Sequence, residues 1–136
     1  MTTLVSSAMV DTVAIHELLA RLTRAVDEGT VEQVAGSFRE DAEWDLGVMT
    51  WQGKSAIAAG VESMRKAGFS GPGTNTRHIV SNVVVDFRSD MEAEVAATFV
   101  LMAKSPDGVS IRAMGDYRDV LVRDGRWLVA KRTSIV

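Results

Sequence analysis

Histidine is the side chain whose charge changes nearest neutral pH and can serve as a base there, and this chain has few other means of chemistry. It carries two histidines and no cysteine, which excludes thiol nucleophiles and cysteine-ligated metals and leaves little material for a metal site. His78 stands in Thr76–Phe87, a run rich in β-branched residues that reads as a long strand. Alternation puts His78, Val80, Asn82 and Val84 on one face and Ile79, Ser81, Val83, Val85 and Phe87 on the other. Both faces are largely apolar, so the strand is expected mid-sheet, with His78 and Asn82 against a core or inside a pocket. A lone histidine on an apolar face is as often a structural residue as a base. To act as a base it needs a partner that fixes the tautomer, because only the unprotonated ring nitrogen accepts a proton.

Asp27 is the candidate partner. It lies about 100° around a helix from the Leu19/Val26 stripe, so it flanks the buried face and suits a cavity edge. A solvated acid just before the helix end at Gly29 is the competing reading, and from position alone the commoner one. Glu28 reads as solvated, and His16 falls on the exposed side of the same helix.

Arg132 shares a face of the last strand with Leu128, Ala130, Ser134 and Val136, while Lys131 is the cation of the other face. A guanidinium on a half-buried face pairs with a carboxylate, binds a ligand oxygen or halide, or snorkels past the edge. Trp44 sits in the acidic run Asp41–Asp45, where its indole N–H can point into a cavity as a donor. Tyr117 and the other aromatics are, one by one, more often core than ligand contacts. Gly71-Pro72-Gly73 precedes a strand, not a helix, and no Gly-x-Ser-x-Gly elbow occurs, so nucleotide and serine-hydrolase readings lack support.

The elements that must position these groups are legible from period and punctuation. Asp11 or Thr12 is expected to cap a helix with Ile15, Leu18, Leu19, Leu22 and Val26 inside, ended by Gly29. Its last turn carries Asp27 and Glu28, which the helix macrodipole disfavours, so a compensating group is expected. Thr30 and Gln33 form a capping-box pattern for a short helix to about Phe38. Asp41–Gly53 reads as two short strands around Gly47, and a third helix from Lys54 or Ser55 buries Ile57, Val61 and Met64 before Gly68. The Gly-rich loop 68–75 leads into the His78 strand and is expected to form a mobile flap beside a pocket. Turns at Arg88–Asp90, Ser105–Gly108 and Asp124–Gly125 then join four strands in a meander. Helices first and a long curved sheet after is an α+β order, and such a sheet wraps the first helix around a cone-shaped cavity.

With 136 residues and 46% apolar content, one domain spanning 1–136 is expected, with 1–9 a flexible lead. A net charge of −3 without a basic stripe argues against nucleic acid, and no segment reads as a signal peptide or membrane span, so a cytoplasmic location is expected.

Four stretches together resemble the SnoaL-like branch of the nuclear-transport-factor-two-like superfamily: Ile15–Gly29, Phe38–Trp44, Thr76–Asn82 and Tyr117–Arg132. The resemblance implies a cone-shaped α+β barrel, three helices packed on a strongly curved, mixed but mostly antiparallel sheet. Within the branch the pattern is similar to scytalone dehydratase and hexachlorocyclohexane dehydrochlorinase, cofactor-free lyases with an Asp–His dyad. It implies that His78 is the base, that Asp27 orients it, and that Trp44 and Arg132 line the pocket and assist the leaving group. Leu22 stands where the family often has a pocket-facing tyrosine or lysine, and Tyr117 is the only tyrosine. With Asn82, Leu22 and Tyr117 on the wall, the implied pocket is dry and suits a small hydrophobic molecule such as a terpenoid, steroid, polyketide or haloalkane. The implied activity is a cofactor-independent lyase or isomerase, with no metal. The alternatives are a non-catalytic ligand-binding module, or a polyketide cyclase or epoxide-opening enzyme in which Asp27 does the proton work. The fold analogy, with a sheet face left apolar, also implies a homodimer or homotrimer.

Overall fold

Three helices precede a meander of long strands in the computed structural model, which describes residues 6–136. The helices are α1 (Ser7–Glu28), α2 (Val31–Ala35) and α3 (Lys54–Lys66). The strands are β1 (Phe38–Asp45), β2 (Thr50–Gln52), β3 (Thr76–Ser89), β4 (Glu92–Ser105), β5 (Gly108–Asp124) and β6 (Arg126–Ile135). They form one open six-stranded sheet in the order β2-β1-β6-β5-β4-β3. Neighbours are antiparallel except β1 and β6, which run parallel. The architecture is the expected α+β cone, with helices on the concave side of a curved mixed sheet. Among the described residues no helix is long and apolar enough to cross a membrane.

Helix α1 begins earlier than expected. The Ser6 hydroxyl, not Asp11 or Thr12, caps it by accepting from the Met9 N–H at 3.2 Å. Asp11 instead accepts from Arg123 and from the Trp127 indole, tying the helix to β5 and β6. Of the expected lead at 1–9, the part within the described residues is this cap and first turn. The acidic end of α1 has its compensation: Arg65 of α3 gives Nη2 hydrogen bonds to the Ala25 and Val26 carbonyls at 2.9 and 3.1 Å. Arg77 pairs with Glu28 at 3.0 Å. A guanidinium from another element thus does what a C-terminal lysine or arginine ordinarily does. The Thr30/Gln33 capping box forms, but α2 stops at Ala35 and Phe38 opens β1.

Two bulges break the alternation read from sequence. In β3 the register slips by one residue between Ser81 and Val84, where Asn82 adopts φ 55°, a left-handed conformation asparagine tolerates better than most residues. Before the bulge Thr76, His78 and Val80 face the helices; after it Val83 and Val85 do. Asn82 is left exposed, so it does not share the His78 face. In β6, Val120 and Leu121 pair with Lys131 and Val129, skipping Ala130. The inward set becomes Trp127, Val129, Arg132 and Ser134, not the single alternating row expected. β3 is also an edge strand, not an interior one. Its outer face leaves Ile79 and Val84 more than half exposed, at 53% and 56%.

The core fills the concave side. Ile15, Leu19 and Leu22 of α1, Val34 of α2 and Ile57 of α3 pack on Phe38, Val95, Leu121, Trp127 and Val129. Each such side chain contributes about 1.5–3 kcal/mol by leaving water. Trp44 and Val61 belong both to this core and to the wall of the cavity beyond it.

Candidate active site

The end of α1 meets the start of β3 through one carboxylate. Asp27 is 3% exposed, and both its oxygens are engaged by His78. Oδ2 accepts from the His78 backbone N–H at 2.8 Å and Oδ1 is 2.7 Å from Nδ1. An ionised carboxylate accepts only, so Nδ1 carries a proton, and in the neutral form of the ring the free lone pair is then on Nε2. The backbone bond ties the carboxylate to the strand as well as to the ring. Asp27 is therefore held at the start of β3, within reach of the ring.

His78 lines a cavity of about 180 Å³ together with Phe99, Tyr117, Trp44, Trp51 and Ser134, closed by Val61, Met64 and Arg65 of α3 and by Ser70 of the Gly-rich loop. The lining is mostly aromatic and aliphatic, with His78, Ser134, Arg65, Tyr117 and Ser70 as its polar points. The His78 and Phe99 rings are 6.2 Å apart, and Phe99 stacks on Tyr117 at 4.5 Å. A larger groove of about 570 Å³ runs among Arg21, Arg24, Glu28 and Arg126, but it is open and lined by solvated charges. Among the described residues no three metal-binding side chains converge.

Behind the aromatic wall lies a buried ion pair. Arg132 is 2% exposed and gives Nε and Nη2 to Asp119 at 2.9 and 3.0 Å. Its guanidinium sits 3.9 Å from the Tyr117 ring centre and 5.5 Å from that of Trp44. Burial works against the Arg132 charge, but the attraction and hydrogen bonds of Asp119 outweigh it and hold the group above its ordinary value. Burial likewise pushes the Tyr117 phenol up; Arg132 pulls it back, while Asp119 and Asp27 add to the rise. Tyr117 is thus a neutral phenol at ordinary pH.

Four of the expected site residues, Asp27, His78, Trp44 and Tyr117, meet at the cavity or its rim. Three do not. Leu22 is fully buried in the core between α1 and the sheet, Asn82 points outward at its bulge, and Arg132 stands behind the wall, neutralised by Asp119. The Trp44 indole N–H does not point free into the cavity; it donates to Ser134 Oγ at 2.9 Å.

Three residues were missed, although each left a trace in the sequence. Asp119 follows Tyr117 at the inward spacing of β5, and Ser134 follows Arg132 at that of β6. Arg65 lies four residues beyond Val61, on the buried stripe of α3.

Comparison with known proteins agrees with this architecture. The model of a family described as the SnoaL-like domain matches residues 7–133. A provisionally assigned scytalone dehydratase from Novosphingobium aromaticivorans is 25% identical, with a TM-score of 0.76 over 94% of this chain and 85% of that one. A nuclear-transport-factor-two-like protein of cystatin-like fold, also from N. aromaticivorans, gives a TM-score of 0.83 at 22% identity, over 93% and 82%. The β subunit of a provisionally assigned aromatic-ring-hydroxylating dioxygenase from that organism gives 0.78 at 24% identity, over 96% and 91%. No curated protein matches the chain.

Proposed function

This chain belongs to the SnoaL-like domain family, and from that premise we propose that it is a cofactor-independent lyase or isomerase in which His78 takes a proton from carbon. The observation that supports the reading is the double hydrogen bond of Asp27 to one residue, which gives the ring a single tautomer and leaves Nε2 as the accepting nitrogen. In the proposed reaction Nε2 removes a proton beside a carbonyl or similar activating group, and the electron pair moves onto the activating oxygen. An isomerase returns that proton to a second carbon. A lyase lets the pair re-form the carbonyl while a carbon–carbon double bond forms and a β-substituent leaves. A departing hydroxide takes the proton from the imidazolium and leaves as water, and with a departing halide the proton passes to solvent water. A positioned base of this kind contributes about 10²–10⁴-fold to rate. The mostly apolar lining suits a small hydrophobic substrate.

The test is carbon-bound hydrogen–deuterium exchange, followed by NMR in D₂O across a panel of small apolar ketones and β-substituted carbonyl compounds. Exchange or elimination above the buffer rate, lost in His78→Gln, is expected. A wild type no faster than buffer, or a variant equal to it, refutes the reading.

Binding without turnover is the second reading. It is favoured by the internal partners of Trp44 and Arg132, which withdraw two groups that would have assisted a departing anion. The cyclase reading fits less well, because both Asp27 oxygens already accept hydrogen bonds.

We also propose self-association through the outer sheet face. Ile79, Val100 and Met114 align across β3, β4 and β5, with Ile79 and Met114 53% and 65% exposed. Sedimentation should show a dimer or trimer that Met114→Glu dissociates.

A further inference from the structure

Resting on that reading, we propose that Ser134 is the hydrogen-bond donor to the substrate oxygen that gains charge when His78 takes the proton, and that Trp44 is its positioning residue. A serine hydroxyl has one proton and two lone pairs. Here one lone pair is taken by the Trp44 indole N–H at 2.9 Å, and an indole can only donate. The hydroxyl proton therefore cannot turn toward Trp44, and among the described residues it finds no acceptor of its own. Ser134 lines the same cavity as His78, so a bound molecule is the acceptor the geometry leaves for it. Accepting one hydrogen bond also polarises the O–H and strengthens the one it gives.

Trp44 is well fixed for this task. It stacks on Phe38 at 5.4 Å, meets Trp51 edge-on at 5.5 Å and has the Arg132 guanidinium over its ring. The ion pair behind the wall thus holds the tryptophan that aims the serine, and it is not available to a leaving group. A neutral hydroxyl facing an apolar cavity suits a carbonyl oxygen that becomes enolate-like, since the donor is already oriented before charge appears.

The experiment uses acetophenone labelled with ¹³C at its carbonyl, a small aryl ketone with exchangeable α-hydrogens. The infrared carbonyl band of the bound ketone reads the hydrogen bond, and α-hydrogen exchange in D₂O reads the base. In the wild type the bound band should lie below its position in hexane. Ser134→Ala should return it toward the hexane position and slow exchange about 10–100-fold. Ser134→Thr should restore both. Trp44→Phe should broaden the band, because the hydroxyl is then free to rotate. A low band that persists in Ser134→Ala overturns the proposal, and its loss in Tyr117→Phe alone moves the role to the phenol. Failure of acetophenone to saturate the wild type also overturns it. A low band without exchange leaves the donor standing and refutes His78 as base; exchange without a low band does the reverse. If Ser134→Ala is unfolded by circular dichroism, the Ser134→Thr and Trp44→Phe bands decide the matter.

Discussion

Replacing Asp27 by asparagine changes almost nothing in volume, yet it confronts His78 with a hydrogen-bonding problem that has no good solution. The carboxylate accepts twice, from the backbone N–H at 2.8 Å and from Nδ1 at 2.7 Å. An amide has one accepting oxygen and one donating NH₂. If the oxygen takes the backbone N–H, the NH₂ meets Nδ1, which must then become an acceptor. The ring proton moves to Nε2, and the base loses its free lone pair. If instead the oxygen keeps Nδ1–H, the NH₂ faces the backbone N–H, donor against donor. A buried unsatisfied donor costs about 1–3 kcal/mol, comparable to the charge-assisted bond that is lost. The first arrangement forfeits the base and the second the stability, and the variant will settle on the cheaper. Long-range ¹H–¹⁵N NMR distinguishes the two tautomers, and urea unfolding measures the stability. The expected result is the Nε2–H tautomer with exchange activity lowered about 10²–10⁴-fold, or the Nδ1–H tautomer with about 1–3 kcal/mol lost. A variant that keeps Nδ1–H, wild-type stability and activity within threefold would refute the reasoning.

Asp119→Ala should cost about 3–5 kcal/mol, because it leaves the Arg132 guanidinium buried and unpaired. The double variant Asp119→Leu with Arg132→Met should recover most of that in urea unfolding, and equal loss in both would show that charge burial is not the cause. Tyr117 is the only tyrosine, so tyrosinate absorbance reports it alone. Its phenol is held above its ordinary value in the folded state, so the folded chain binds more protons than the unfolded one and stability should fall as pH rises past about 10. Tyr117→Phe should flatten that fall, and the wild-type tyrosinate band should lag that of free tyrosine. Gly60→Ala should destabilise although helix propensity favours alanine by about 1 kcal/mol. The new Cβ would lie 2.1 Å from the Trp51 ring and push it into the cavity, so a net gain in urea midpoint would be the contrary result.

Local periodicity carried the element order. The 3.6-residue stripe of α1, the Thr30/Gln33 box and the glycine-marked turns each depend on neighbours in sequence, and those elements formed within a few residues of their expected bounds. Helix spacing offered Asp27 as a candidate partner for His78 but favoured a solvated acid, and the family resemblance then implied the pairing, because the two are 51 residues apart. Periodicity could not say which acid would meet the ring. What the tertiary structure alone decided were the faces beyond each bulge. Alternation is a property of one strand, but a bulge is set by how that strand registers on its neighbour. One extra residue at Asn82 turned that side chain out of the site, and one at Ala130 turned Arg132 and Ser134 inward beside Trp127 and Val129. Arg132 then found Asp119 on the adjacent strand, and Trp44 found Ser134, 90 residues away. Hydrogen-bond partners across a sheet follow from register, which no single stretch of sequence encodes.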